Sequence, residues 1–139
     1  MPNAFFPEYN IWKREFERFG LDEDTILVGH SCGGGFLTRY LSENDIKVGK
    51  VVLVAPWLGR HDKEMDKTFF DFTIAKDLAS KTKGLTIFYS KDDDILEAVE
   101  KIKSAVDNVK IVEFTNKGHF TFTDLGTHEF PELLNEIMN

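Results

Sequence analysis

The sequence predicts an α/β fold: a parallel β-sheet with flanking helices in a three-layer α/β/α arrangement. Two observations predict it. Four short runs, Thr25 to Gly29, Lys50 to Ala55, Leu85 to Tyr89 and Val109 to Phe114, are nearly continuous in apolar and β-branched residues, as strands buried on both faces are. Between them apolar positions recur at helical spacing, and such alternation is the pattern of a parallel sheet. Right-handed crossovers then set the four strands side by side in sequence order.

Each element has its own signal. Pro7 to Phe19 places Trp12, Phe16 and Phe19 on one helical face, with Lys13, Arg14, Glu17 and Arg18 between them. Gly20 stands where a helix-terminating glycine belongs. Phe36, Leu37, Tyr40 and Leu41 mark a helix after the first strand, and Ile95, Val99, Ile102 and Val106 one after the third. Phe130, Leu133, Leu134 and Ile137 line one face of a last helix starting near Pro131. From Pro56 to Lys83 the pattern is less regular. Phe72 to Leu78 is expected as the crossover helix. The half before it, which carries Trp57 and His61, reads as a long loop of the kind that lines or covers sites.

The 139 residues hold a single domain, 1–139, without an internal repeat or low-complexity linker. Lys+Arg is 17 against Asp+Glu 24, a net charge of -7. With no basic stripe to follow a phosphate backbone, a nucleic-acid partner is not expected. No run approaches the roughly 20 consecutive apolar residues of a membrane span. Met1-Pro2-Asn3-Ala4-Phe5-Phe6 lacks the basic-then-apolar order of a secretory signal. Cys32 is the sole cysteine, which rules out an internal disulfide and fits a reducing, cytoplasmic setting. The expectation is a cytoplasmic protein with no membrane partner.

The sharpest chemical signal is Gly29-His30-Ser31-Cys32-Gly33. It has the form G-x-S-x-G, with a strand before it and a helix after it. A serine there sits on a tight, strained turn above the end of the sheet, at the positive end of the next helix. Both glycines are expected because side chains would meet the neighbouring strand and helix. The backbone N–H of Cys32 then faces a developing oxyanion. A Gly-rich turn with a chance serine is the plainer alternative. A phosphate cradle is disfavoured, because Gly33-Gly34-Gly35 does not fit G-x-G-x-x-G and no Gly-Lys-Ser/Thr follows.

A serine nucleophile needs a base, and the base an orienting acid, in the chain order Ser, Asp/Glu, His. Ser90-Lys91-Asp92-Asp93-Asp94 follows the third strand, and Asn116-Lys117-Gly118-His119-Phe120 follows the fourth. All three groups fall at one edge of the sheet, where open α/β proteins place their sites. Plainer roles exist for each: Asp94 as a helix cap with Glu97, Asp92 as a solvated charge, His119 as a loop histidine. His30, inside the elbow, cannot turn back onto Ser31, and His128 is the fallback base. No cluster has metal-ligand spacing, and no cofactor is expected.

Thr25 through Gly35, Ser90 through Leu96 and Gly118-His119-Phe120 resemble the α/β-hydrolase superfamily. They are most similar to its small retinoblastoma-binding-protein-like serine hydrolases, as is Met1-Pro2-Asn3 with Trp12 beyond it. The resemblance implies Ser31 as nucleophile, His119 as base and Asp93 as acid, with Asp92 the competing choice because Asp94 stands where proline is common. It also implies a preceding strand and a glycine-rich loop that donates a second oxyanion N–H, whereas this sequence starts at the Met-Pro-Asn turn. A truncated α/β-hydrolase fold is therefore expected, and one lost donor costs about 10²–10³ in kcat.

The expected function is hydrolysis of carboxylic esters, and by extension amides or thioesters, by a Ser31–His119–Asp93 triad, with a small-molecule substrate held by Trp57 and Phe120. Phe69 through Phe72 are weighed as further pocket lining against plain core. Thr25 to Gly29 becomes an apolar edge strand, a pairing hazard, so a homodimer through that edge is expected. The competing readings are a non-catalytic interaction module on the same scaffold and a nucleotide- or flavin-binding domain.

Overall fold

Branched and aliphatic side chains dominate the four runs, and in the computed structural model all four pair as strands. The structure describes residues 1–60 and 64–139, so His61, read as a loop histidine, lies outside the described residues. Strands β1 (Leu27–His30), β2 (Val48–Val54), β3 (Thr82–Ser90) and β4 (Lys110–Phe114) form a single parallel sheet in the order β1–β2–β3–β4. This is the sequence order expected above, with each strand beside the next in the chain. Gly29, Leu53, Ile87 and Ile111 align in one row across it. The strands therefore end together, and the loops after β1, β3 and β4 open onto the same edge.

Helices α1 (Tyr9–Phe16), α2 (Cys32–Glu43), α3 (Glu64–Phe70), α4 (Leu96–Ala105), α5 (Phe122–Leu125) and α6 (Pro131–Met138) surround the sheet. α2 lies on the face of Gly29 and Leu53, where a Cβ on Gly29 would strike Leu37. α6 lies on the opposite face. There its Glu136 carboxylate accepts from the Thr86 hydroxyl at 2.7 Å and from Lys110 at 2.7 Å, and Phe130 meets the Phe88 ring. Both faces of the two central strands are thus covered, and Val51, Val52, Leu53, Ile87 and Phe88 are almost wholly buried. β1 is an outer strand, and its Val28, in the row of Val52 and Thr86, is 46% exposed.

Two expectations shift. β1 begins two residues later than the apolar run, because Thr25 closes a turn with Asp22: its hydroxyl donates to the Asp22 carboxylate at 2.7 Å and its N–H to the Asp22 carbonyl at 3.1 Å. The crossover helix is α3, not Phe72 to Leu78. Phe69 is 1% exposed and packs edge-on against Tyr9 and Trp12 of α1. That burial fixes the helix where charge had suggested a loop. The Phe72-to-Leu78 stretch instead runs past α2, where the Ala75 N–H donates to the Ser42 hydroxyl at 3.0 Å. Among the described residues no helix is long and apolar enough to cross a membrane.

Candidate active site

The elbow is built by hydrogen bonds that leave the serine little choice. Ser31 has φ 54 and ψ −120, a left-handed conformation that costs a non-glycine residue about 1–3 kcal/mol. Its N–H donates to the Val54 carbonyl at 2.9 Å. Its own carbonyl accepts from Gly34 at 3.0 Å, Gly35 at 3.2 Å and Trp57 at 3.0 Å. The strain persists because β2, α2 and the loop after β2 all hold the same residue.

Close packing explains the glycines differently from the sequence expectation. A Cβ on Gly29 would lie 2.6 Å from the Gly33 carbonyl oxygen, so that glycine is required. A Cβ on Gly33 would meet nothing within 4 Å. The crowded partner is Gly35, whose Cβ would fall 2.0 Å from the Trp57 carbonyl oxygen. Gly35→Ala is therefore expected to lower stability by about 3 kcal/mol or more, as overpacking against backbone does. Gly33→Ala should cost well under that. Urea unfolding of the two variants checks the difference.

His119 lies between Ser31 and Asp93. Its Nε2 is 2.8 Å from Ser31 Oγ and its Nδ1 is 2.8 Å from Asp93 Oδ2. The Asp93 side chain is 3% exposed, and its other oxygen accepts from the Asp94 N–H at 2.7 Å. The structure thus brings together a hydroxyl, an imidazole and a carboxylate from the loops after β1, β4 and β3. In such an arrangement the ring can take the hydroxyl proton while the carboxylate holds its tautomer.

Neighbouring acids have other partners. Asp92 accepts from the Ser90 hydroxyl and, at 3.2 Å, from the Gly118 N–H. Asp94 forms an exposed ion pair with Arg60 at 3.6 Å and does not cap α4, whose cap is Ile95. Cys32 is the first residue of α2. His128 stacks on Phe122. Trp57 lines a cavity of about 260 Å³ with Ser31, Arg60, Asp94, Ile95 and His119. A second cavity of about 180 Å³ shares Trp57, Arg60, Asp94 and Ile95 and reaches Lys101. Phe120 is instead buried among aromatics, its ring 5.4 Å from both Phe114 and Phe130. Its φ of 56 lies in the left-handed region. Phe69 is likewise core, whereas Phe70 supports the Trp57 indole edge-on at 5.4 Å.

Two residues of the site were not foreseen. Asp124 Oδ2 accepts from the His119 N–H at 3.0 Å and from the Thr121 hydroxyl at 2.7 Å. It closes a capping box on α5 with Thr121, and Thr121-x-x-Asp124 is a spacing that sequence alone could have flagged. His30 donates from Nε2 to the His119 carbonyl at 2.7 Å, a pairing across 89 positions that left no local trace.

Electrostatics adds a pH dependence. The Ser90 hydroxyl, chiefly, holds the Asp92 carboxyl below its usual 3.8. The Thr121 side chain, then backbone N–H groups including that of His119, do the same for Asp124. Both folded-state values lie below the unfolded one, so their contribution to stability is present above 3.8 and is lost as pH falls through the lowered values. The loop carrying His119 is expected to loosen as pH falls below 3.8 and these two carboxylates take up protons. The protection factors of the Gly118 and His119 amides, corrected for intrinsic exchange, should fall below pH 3.8 and stay flat above it.

A model of the alpha/beta hydrolase fold matches residues 16–83 of the chain. Solved structures match nearly all of it. An alpha/beta hydrolase from the metagenome of Mar Chica lagoon sediments in Morocco is 20% identical, with a TM-score of 0.61 over 92% of this chain and 66% of that one. A candidate YdeN-like hydrolase of Pectobacterium atrosepticum is 17% identical, with a TM-score of 0.69 over 99% and 72%. The chain has the alpha/beta hydrolase fold. A Bacillus subtilis carboxylesterase shares it at 13% identity and a TM-score of 0.56, over 98% of this chain and 67% of that one. The chain thus spans about two-thirds of the length of the hydrolase-fold structures it matches.

Proposed function

We propose that the chain is a serine hydrolase that cleaves carboxylic esters through an acyl-enzyme, with amides and thioesters as chemically related substrates. Ser31 Oγ attacks the carbonyl carbon while His119 Nε2 takes its proton. The imidazolium returns that proton to the departing alkoxide as the C–O bond breaks. Water, deprotonated by the same nitrogen, then releases the acid and restores the serine. Asp93 keeps Nδ1 protonated and stabilises the imidazolium. The Cys32 N–H, at the positive end of α2, is the oxyanion donor supplied by this chain.

The observation that carries this reading is the pair of 2.8 Å contacts that His119 makes, one with Ser31 and one with Asp93. The cavity bordered by Ser31, His119 and Trp57 gives an ester room beside the hydroxyl. Neighbours described as carboxylesterases share the fold at low identity, so the substrate class rests on this chain's own residues. The finer likeness to retinoblastoma-binding-protein-like hydrolases rests on the sequence motifs around Ser31, Asp93 and His119. Labelling of the folded chain by a fluorophosphonate at Ser31 tests the reading. Folded, unlabelled protein would favour the interaction module instead.

A further inference from the structure

We propose that His30 is a positioning residue that holds the base loop in register with the nucleophile; this rests on the serine-hydrolase reading above. His30 is the last residue of β1 and directly precedes Ser31. Its Nε2–H donates to the His119 carbonyl at 2.7 Å, and the two rings lie 5.0 Å apart at 51°. The contact therefore joins the elbow to the loop that carries the base, without involving either reacting atom.

The other bonds of that loop show why this one matters. Residues 117–120 form a tight turn in which Gly118 and Phe120 both have positive φ, 49 and 56. The His119 N–H is taken by Asp124, five residues on, and the Phe120 N–H by the Lys117 carbonyl at 2.9 Å. These bonds fix the shape of the loop but move with it. The Lys117 N–H donates to Ser90 Oγ at 3.0 Å and the Gly118 N–H to Asp92 at 3.2 Å. Those two tie the start of the loop to the end of β3. His30 ties its next residue to β1, the strand whose end carries Ser31. Without it, the loop can pivot about its β3 anchors, and the Ser31–His119 distance loosens. The role needs a proton on Nε2, which the imidazolium and one neutral tautomer both carry.

The test compares His30→Ala with His30→Gln, whose amide N–H reaches about as far as Nε2. His30 is exposed, so both variants should fold, and unchanged unfolding midpoints check this. In the resting protein the proton shared by His119 Nδ1 and Asp93 is followed as a far-downfield NMR resonance. His30→Ala should broaden or erase it and lower kcat about 10- to 100-fold, the scale of a small misplacement of a catalytic group, with KM little changed. His30→Gln should restore both. An unchanged resonance in His30→Ala, a Gln variant as impaired as the Ala variant, or no such resonance in the unsubstituted chain would overturn the proposal. The resonance needs no turnover, so a failed fluorophosphonate label, which overturns the hydrolase reading, is distinguishable from an unchanged resonance, which overturns the His30 contact as a positioning device.

Discussion

Ser31→Ala is expected to abolish fluorophosphonate labelling and to lower ester hydrolysis by about 10⁴–10⁶-fold, the range seen when a nucleophile is removed from a unit that works together. The hydroxyl is the group that would form the acyl bond, and no rearrangement of His119 replaces it. The elbow should survive the change. Its geometry is set by backbone bonds from Ser31 to Val54, Gly34, Gly35 and Trp57, which alanine keeps, although alanine retains the positive-φ strain. Circular dichroism of the variant should match that of the parent. Equal labelling of the two proteins, or labelling mapped by mass spectrometry to another residue, would remove Ser31 from the mechanism.

Asp93→Asn should be the second large loss, about 10³–10⁴ in kcat, because an amide in place of the carboxylate favours the wrong tautomer of the base. Asp92→Asn is the matched control. Asp92 is adjacent in sequence, but its carboxylate serves Ser90 and the Gly118 N–H. An amide oxygen can still accept from either, so the variant should lose no more than about 10-fold, through a looser loop. Steady-state kinetics on a chromogenic ester decides between them. Comparable losses from both, or a larger one from Asp92→Asn, would mean that the carboxylate at 2.8 Å from Nδ1 does not act as the acid. The pair also isolates the choice that motif reading left open.

Much of the framework was legible beforehand. Strand runs such as Val51-Val52-Leu53-Val54 are apolar because both faces are covered, and that condition is written locally. The elbow was legible because that spacing of glycine and serine, between a strand run and a helical pattern, marks a tight strand-to-helix turn. The crossover between β2 and β3 was not. α3 is fixed by Phe69 entering a cluster with Tyr9, Trp12 and Phe36, all distant in the chain. The burial of Phe120, expected as a pocket residue, was hidden for the same kind of reason: its place against Phe114 and Phe130 depends on where β4 and α6 meet.

The sequence by itself determined the alternation of strand and helix, the parallel order and three loops bearing a serine, acids and a histidine. Each is a matter of periodicity or of a short turn, which neighbouring residues enforce. Only the tertiary structure decided which aspartate meets His119, which glycine is crowded, and that His30 reaches the His119 carbonyl. Those outcomes are distances of a few ångströms between segments up to 89 positions apart. Side-chain chemistry offers several equivalent partners, and only the packing of β1, β3 and β4 side by side selects among them.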